Sequence, residues 1–167
     1  PKEILAPDIA SLWPFYREGN KLYATTSHNA PRKKVVLIDI TDNNIDHWQI
    51  IVSESNDESK KMEAAFVAQD RLFIHWSTSD SDIIEVLNLQ GEHQHYIDSP
   101  SGTSLTSSKI RPKDDSFLIS YSGYLSPSER YRYDVKENQK TFIEKSKIKR
   151  DLLDTAQVDR IYATSKD

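Results

Sequence analysis

Leu22-Tyr23-Ala24, Val36-Leu37-Ile38-Asp39-Ile40 and Trp48-Gln49-Ile50-Ile51-Val52 are three short apolar runs, and the chain carries each of them three times. The first returns as Leu72-Phe73-Ile74 and as Phe117-Leu118-Ile119, in steps of 50 and 45 residues. The second returns as Glu85-Val86-Leu87-Asn88-Leu89 and as Arg132-Tyr133-Asp134-Val135, which spaces Asp39, Asn88 and Asp134 by 49 and 46. The third returns as His95-Tyr96-Ile97 and Thr141-Phe142-Ile143, with Ile50, Tyr96 and Phe142 at equal steps of 46. Three signals in one phase mean three copies of one supersecondary unit. A period of about 40 to 50 residues with several short strands per copy is the signature of β-propeller blades.

Strand-length runs of β-branched and aromatic residues lie between clusters of Gly, Pro, Asn, Asp and Ser, as strands and turns do. The first copy predicts strands at Trp13–Arg17, Lys21–Thr26, Lys34–Ile40 and His47–Ser53. The second predicts Glu63–Ala68, Arg71–Trp76, Ile83–Leu89 and His93–Ile97, and the third Ser104–Ile110, Phe117–Tyr121, Arg130–Val135 and Lys140–Glu144. Two flanking strands are predicted at Lys2–Leu5 and Gln157–Thr164, and Lys147–Asp154 is the one helical turn expected. The fold class is therefore all-β, built of three consecutive four-stranded antiparallel blades. The expected division is 1–12 for the last strand of a preceding blade and its linker, 13–58, 59–100 and 101–150 for three blades, and 151–167 for a return strand. In each blade the third-run strand should lie outermost and the strand near Trp13, Glu63 or Ser104 innermost.

Composition removes several classes of function. The net charge of -4 and a pI near 5.7 argue against nucleic acid as a partner, since phosphate binding needs clustered Lys and Arg. The absence of cysteine excludes a disulfide scaffold and thiolate zinc sites. No apolar run approaches the roughly 20 residues of a membrane span. The chain starts at Pro1, without a charged-then-apolar leader, and stops at Ser165-Lys166-Asp167, as an excised piece of a longer protein would.

No catalytic constellation emerges. Of the glycines Gly19, Gly91, Gly102 and Gly123, none forms a G-x-S-x-G elbow; Gly102-Thr103-Ser104-Leu105-Thr106 is the nearest approach and lacks the second glycine. No phosphate loop is present, and nothing calls for a cofactor. His93 and His95, one residue apart on a strand, should face one side and could hold zinc with a third ligand; the plainer reading is a solvent-facing outer strand. Lys145, Lys147, Lys149 and Arg150 read as a solvated basic connector rather than an anion site. Trp13, Trp48 and Trp76 read as fillers between blades rather than ligand platforms.

Three segments carry a resemblance. Thr25-Thr26-Ser27-His28-Asn29-Ala30-Pro31-Arg32-Lys33-Lys34-Val35-Val36, followed by Ile38-Asp39 and Trp48, is one. Tyr124-Leu125-Ser126-Pro127 with Tyr131-Arg132-Tyr133-Asp134 is the second, and Gln157-Val158-Asp159-Arg160-Ile161-Tyr162-Ala163-Thr164-Ser165-Lys166-Asp167 the third. In this order the chain resembles the prolyl oligopeptidase family of serine peptidases; Ala30-Pro31-Arg32 and Ser165-Lys166-Asp167 favour the prolyl group over its sibling, oligopeptidase B, which cuts after basic residues. The chain departs from the family pattern at Ser126-Pro127-Ser128, where a second proline is common, and at the polar pair Ser107-Ser108.

The resemblance implies a seven-bladed β-propeller that caps an α/β-hydrolase domain with a Ser-Asp-His triad. This chain would be the last three blades and the start of the return crossing. The triad residues would lie beyond Asp167, so no catalytic, cofactor-binding or metal-binding residue is carried over. The implied role is to wall the tunnel that admits short, proline-containing peptides, in the cytoplasm or periplasm. The implied partners are the peptidase domain of the same parent chain and short peptides, with no nucleic acid and no membrane; the open faces of an incomplete ring would favour self-association. The rival reading is a propeller-type binding or scaffold module with no enzyme attached.

Overall fold

The computed structural model describes residues 11–42 and 44–147, and it is built from three four-stranded antiparallel sheets. The first holds β1 (Leu12–Glu18), β2 (Lys21–Thr26), β3 (Lys34–Asp39) and β4 (Gln49–Val52). The second holds β5 (Lys61–Ala68), β6 (Arg71–Ser77), β7 (Asp82–Asn88) and β8 (His93–Ile97). The third holds β9 (Thr103–Ser107), β10 (Ser116–Gly123), β11 (Glu129–Asp134) and β12 (Gln139–Lys145). In each sheet the strands lie side by side in chain order, so β4, β8 and β12 occupy one edge and β1, β5 and β9 the other.

The sequence phase is also the packing phase. Leu22, Leu72 and Phe117 sit at equivalent places in their second strands, and they join three successive apolar clusters. The neighbouring residues Tyr23 and Phe73 point the other way, toward the next sheet, because successive strand residues alternate faces. One cluster (Tyr23, Val35, Met62, Val67, Leu72, Ile74, Trp76, Leu87) joins sheets one and two. A second, between sheets two and three, is centred on Phe73. The ring of Phe73 stacks on Phe66 at 5.0 Å and meets Phe117 edge-on at 5.3 Å. Fully burying such a ring contributes about 1.5–3 kcal/mol.

The recurring Asp39, Asn88 and Asp134 each end a third strand and each closes the following turn. Asp39 Oδ1 accepts from the Thr41 amide at 2.9 Å, Asn88 Oδ1 from Gln90 at 3.0 Å and Asp134 Oδ1 from Lys136 at 2.9 Å. A short acceptor two residues before an amide makes an Asx turn, so position and residue type repeat together. Each outer strand joins its sheet through one register shift, between Val35 and Val36, Val86 and Leu87, and Arg130 and Tyr131 on the partner strand. The third apolar signal marks these outer strands: Ile50, Tyr96 and Phe142 are 52%, 44% and 54% exposed.

Most strand ends differ from the sequence reading by one or two residues, and two of the differences have a visible cause. The expected strand His47–Ser53 begins at Gln49, because Ile45–His47 forms a 3-10 turn; Asn44 caps it by accepting from the Asp46 amide at 3.0 Å. Lys147–Asp154 is therefore not the one helical piece. The strand expected over Ser104–Ile110 stops at Ser107. At the next position Ser108 donates its amide to Leu118 O at 2.9 Å, and its Oγ accepts from the Leu118 amide at 3.1 Å. A hydroxyl thus stands in for the ladder carbonyl, which accounts for Ser108 of the polar pair. The predicted strands Lys2–Leu5 and Gln157–Thr164, and the predicted turn from residue 148 on, lie outside the described residues. Among the described residues no helix is long and apolar enough to cross a membrane.

Candidate functional surface

The joints between sheets are polar at their ends and apolar in the middle. Between sheets two and three, Arg71 Nη1 donates to Val135 O at 2.6 Å and also to Asn138 Oδ1. The Gln69 amide group reaches Lys113 O at 2.9 Å and Asp115 Oδ1 at 2.8 Å. At the opposite end Asp82 Oδ2 accepts from the Leu105 amide at 2.8 Å and lies 3.2 Å from His75 Nε2. Lys140 Nζ donates to Asp98 O at 3.0 Å and sits over the rings of Tyr121 and Tyr131, 4.7 and 5.1 Å from their centres. Burial lowers the Lys140 pKa, and burial pushes the Tyr121 hydroxyl up to about 12. Between sheets one and two, Tyr23 donates its hydroxyl to Leu89 O at 3.3 Å and the Met62 amide donates to Arg32 O at 3.2 Å.

Sequence reasoning missed Arg71, Gln69 and Lys140. The signal for Arg71 was a departure from the repeat: Lys21 and Ser116 occupy its place in the other two copies.

The first-strand edges converge where β1 touches β5. Each of these strands has a register shift: Phe15 is the extra residue in β1, and Glu63 in β5. β9 pairs in regular register. The shift in β1 aims Phe15 and Tyr16 together at Tyr23, at ring separations of 6.4 and 5.5 Å. Beside the shifts lies a cleft of about 270 Å³ lined by Trp13, Pro14, Phe15, Thr25, Lys33, Glu63, Ala64 and Ala65. The Ala30-Pro31-Arg32 turn holds one wall of it. Ala30 is buried, the Arg32 amide donates to Glu54 Oε1 at 2.5 Å, and Arg32 Nη2 donates to Ser55 O at 2.9 Å.

The residues singled out from the sequence scatter. A bulge at Gln94 pairs Leu87 with His93 and Val86 with His95, so the two histidines do not share a face. His93 lies 4.5 Å from the Tyr96 ring and 3.0 Å from Glu85 Oε1, exposed as the plainer reading expected. His95 turns inward, and its Nε2 meets Tyr133 OH at 2.8 Å. Among the described residues no three His, Asp or Glu side chains gather as a metal site. Lys145 pairs with Glu129 at 2.7 Å, Lys147 is exposed, and Lys149 and Arg150 lie outside the described residues. Of the tryptophans, Trp76 fills the boundary between sheets one and two, donating Nε1 to Glu85 at 2.8 Å, and Trp48 packs half-buried on Ala24, Val36 and Ile38. Trp13 is no filler: it is 53% exposed, with Lys33 Nζ 5.3 Å from its ring centre, because its place on an edge strand leaves one side uncovered. Ser104 lies in a shallow hollow with Gly102, Ser122, Gly123 and Tyr124, and no histidine lines it.

Residues 3–146 match the sequence profile of the prolyl oligopeptidase N-terminal β-propeller domain. No curated protein sequence matches the chain. A solved structure from a study of two prolyl endopeptidases superposes over 85% of this chain, with a TM-score of 0.75 and 17% identity. Prolyl oligopeptidase B from Galerina marginata, bound to a 35mer hydrolysis and macrocyclization substrate, superposes over 87% at a TM-score of 0.74 and 21% identity. Its apo form superposes over 88% at 0.73 and 20% identity. The chain spans about a fifth of each of those proteins, 20%, 20% and 21% in turn. With a domain match over most of its length and three blades in chain order, the chain belongs to the prolyl oligopeptidase N-terminal β-propeller family.

Proposed function

We propose that this chain is a non-catalytic propeller segment of a serine peptidase that cleaves after proline, and that it walls the tunnel through which short peptides reach the peptidase domain. The observation that carries this reading is the domain match over residues 3–146, joined to three four-stranded sheets, each with its strands side by side in chain order. The physical logic is size exclusion: a ring of blades around a narrow passage keeps folded proteins from presenting a scissile bond. The polar joints at Arg71, Gln69, Asp82 and Lys140 would hold adjacent blades at a fixed angle and so fix the width of that passage. Peptide hydrolysis would follow the acyl-transfer chemistry of a Ser-Asp-His triad supplied by the parent's peptidase domain.

The test uses the parent gene product and this chain side by side. The parent should turn over a fluorogenic Gly-Pro peptide and spare a folded protein with an exposed prolyl bond. The 167-residue chain should neither turn over the peptide nor react with a serine-directed phosphonate. Turnover or labelling by the chain alone, or a parent that cleaves folded protein as fast as peptide, would sink the proposal. A parent with no peptidase activity would favour a binding or scaffold module instead.

A further inference from the structure

We propose that the cleft between β1 and β5 is a binding site for peptides ending in proline, with the prolyl ring packed against Trp13 beside Lys33 and the terminal carboxylate on the Lys33 ammonium. This rests on the reading of the chain as part of a prolyl peptidase, whose cleavage after proline leaves such an end. Four observations converge on one spot. Two adjacent first strands each carry an extra residue there, Phe15 and Glu63, whereas β9 carries none. Bulges at sheet edges re-aim side chains and are enriched beside functional sites. Trp13 is left 53% exposed in the resulting cleft of about 270 Å³. Lys33 adopts a left-handed backbone, φ 69°, which a non-glycine residue takes only when its surroundings impose it. That backbone carries Nζ over the Trp13 ring at 5.3 Å, where its hydrogen bond among the described residues, to Glu63 O, is at the 3.5 Å limit.

The chemistry of the spot is specific. An ammonium group has three donors, and here they are nearly unspent. The negative face of an indole attracts the ring hydrogens of proline, which lie beside the electron-withdrawing imide nitrogen, and proline-rich peptides dock on aromatic-lined grooves throughout biology. The Glu63 carboxylate lies 3.2 Å from Lys61 Nζ, and among the described residues it forms no ion pair with Lys33. Ala64, beside the cleft floor, is exposed and too small to block a peptide.

The experiment titrates the 167-residue chain with acetyl-Gly-Pro as free acid, with its amide, and with acetyl-Gly-Ala. Binding is read from the NMR amide shifts of Thr25 and Ala64 in the cleft wall. The free acid should bind with a roughly millimolar Kd, about fivefold tighter than the amide, as an exposed ion pair supplies. Acetyl-Gly-Ala and the Trp13→Ala variant should each lose about tenfold, the worth of a ring contact. Lys33→Asn, which tolerates the left-handed backbone, should erase the preference for acid over amide. Three results would each overturn the site: no saturable shift at Thr25 and Ala64, equal binding of the alanine peptide, or full binding by Trp13→Ala. A parent enzyme that cleaves prolyl peptides while this cleft binds none removes the site and leaves the proposed function; binding here with an inactive parent does the reverse.

Discussion

Gly91→Ala should destabilise the chain far more than Gly19→Ala, although both glycines have a left-handed backbone. The φ values are 88° at Gly91 and 57° at Gly19. A Cβ at Gly19 meets nothing within 4 Å, so the cost there is that of placing alanine at positive φ, about 1 kcal/mol. A Cβ at Gly91 would lie 2.2 Å from Ile51 O and 3.1 Å from Ile51 C. Those atoms are the backbone of β4 and cannot swing aside as a side chain could. The β7–β8 turn must therefore retreat by about 1 Å from the neighbouring sheet, which separates packed apolar surface. Adding about 2 kcal/mol for that repacking, in the range of overpacked cores, gives about 3 kcal/mol for Gly91→Ala. For a domain of this size that is a fall of about 6–12 °C in Tm, against about 2–4 °C for Gly19→Ala. Urea and thermal unfolding followed by tryptophan fluorescence will measure both, since Trp76 reports on the boundary between sheets one and two. Equal losses in the two variants would refute the contact between Gly91 and β4 and with it the angle between the first two sheets.

Arg71→Met keeps the aliphatic stem but removes the bonds to Val135 O and Asn138, and should cost about 1.5–3 kcal/mol, the worth of charge-assisted hydrogen bonds; a loss under 0.5 kcal/mol in urea unfolding would mean that the two sheets do not depend on this clamp. His95 should make the chain less stable in acid. Burial, with Arg71 and His93 nearby, lowers its pKa, so the folded state favours the neutral ring. The Tyr133 hydroxyl, pushed up to about 12 by burial, stays protonated and lies 2.8 Å from His95 Nε2. The stabilising effect is complete above the unfolded histidine pKa of about 6.5 and is lost as pH falls from there toward the depressed folded value. His47, raised by its bond to Asp42, acts in the opposite sense, so the test is the difference between wild type and His95→Gln across that range; identical pH profiles would refute the assignment. The chain alone should self-associate at micromolar concentration through surfaces outside the β1–β5 cleft, because Ile50, Tyr96, Tyr124, Phe142 and Ile143 are exposed and the outer sheet edges are open to pairing. Light scattering from a clean, stable monomer would contradict this.

Most of the fold was legible because the repeated letters have repeated physical tasks. Leu72 and Phe117 recur because each faces the preceding sheet, with Leu22 at the same place on the first, and Asp39, Asn88 and Asp134 recur because each closes a turn with its own side chain. Periodic burial and turn chemistry leave a trace in composition, so phase alone orders the strands. Register shifts leave no such trace. Nothing in His93-Gln94-His95 signals that Gln94 is an extra residue, yet that one residue puts the two rings on opposite faces and dissolves a metal-like pattern. The same blindness works in reverse at the other edge. Trp13 reads as a filler because it is a large aromatic, yet it lies on an edge strand, where the shift at Phe15, invisible in the sequence, turns the neighbouring rings inward while Trp13 stays in the open beside Lys33. Alternation is a rule about unbroken strands. In a four-stranded blade, where first and last strands are edges and edges are where bulges fall, the positions that sequence reads worst are those on the first and last strands. A candidate site on such an edge is therefore found by comparing register between copies, β1 and β5 against β9, and not by comparing residues.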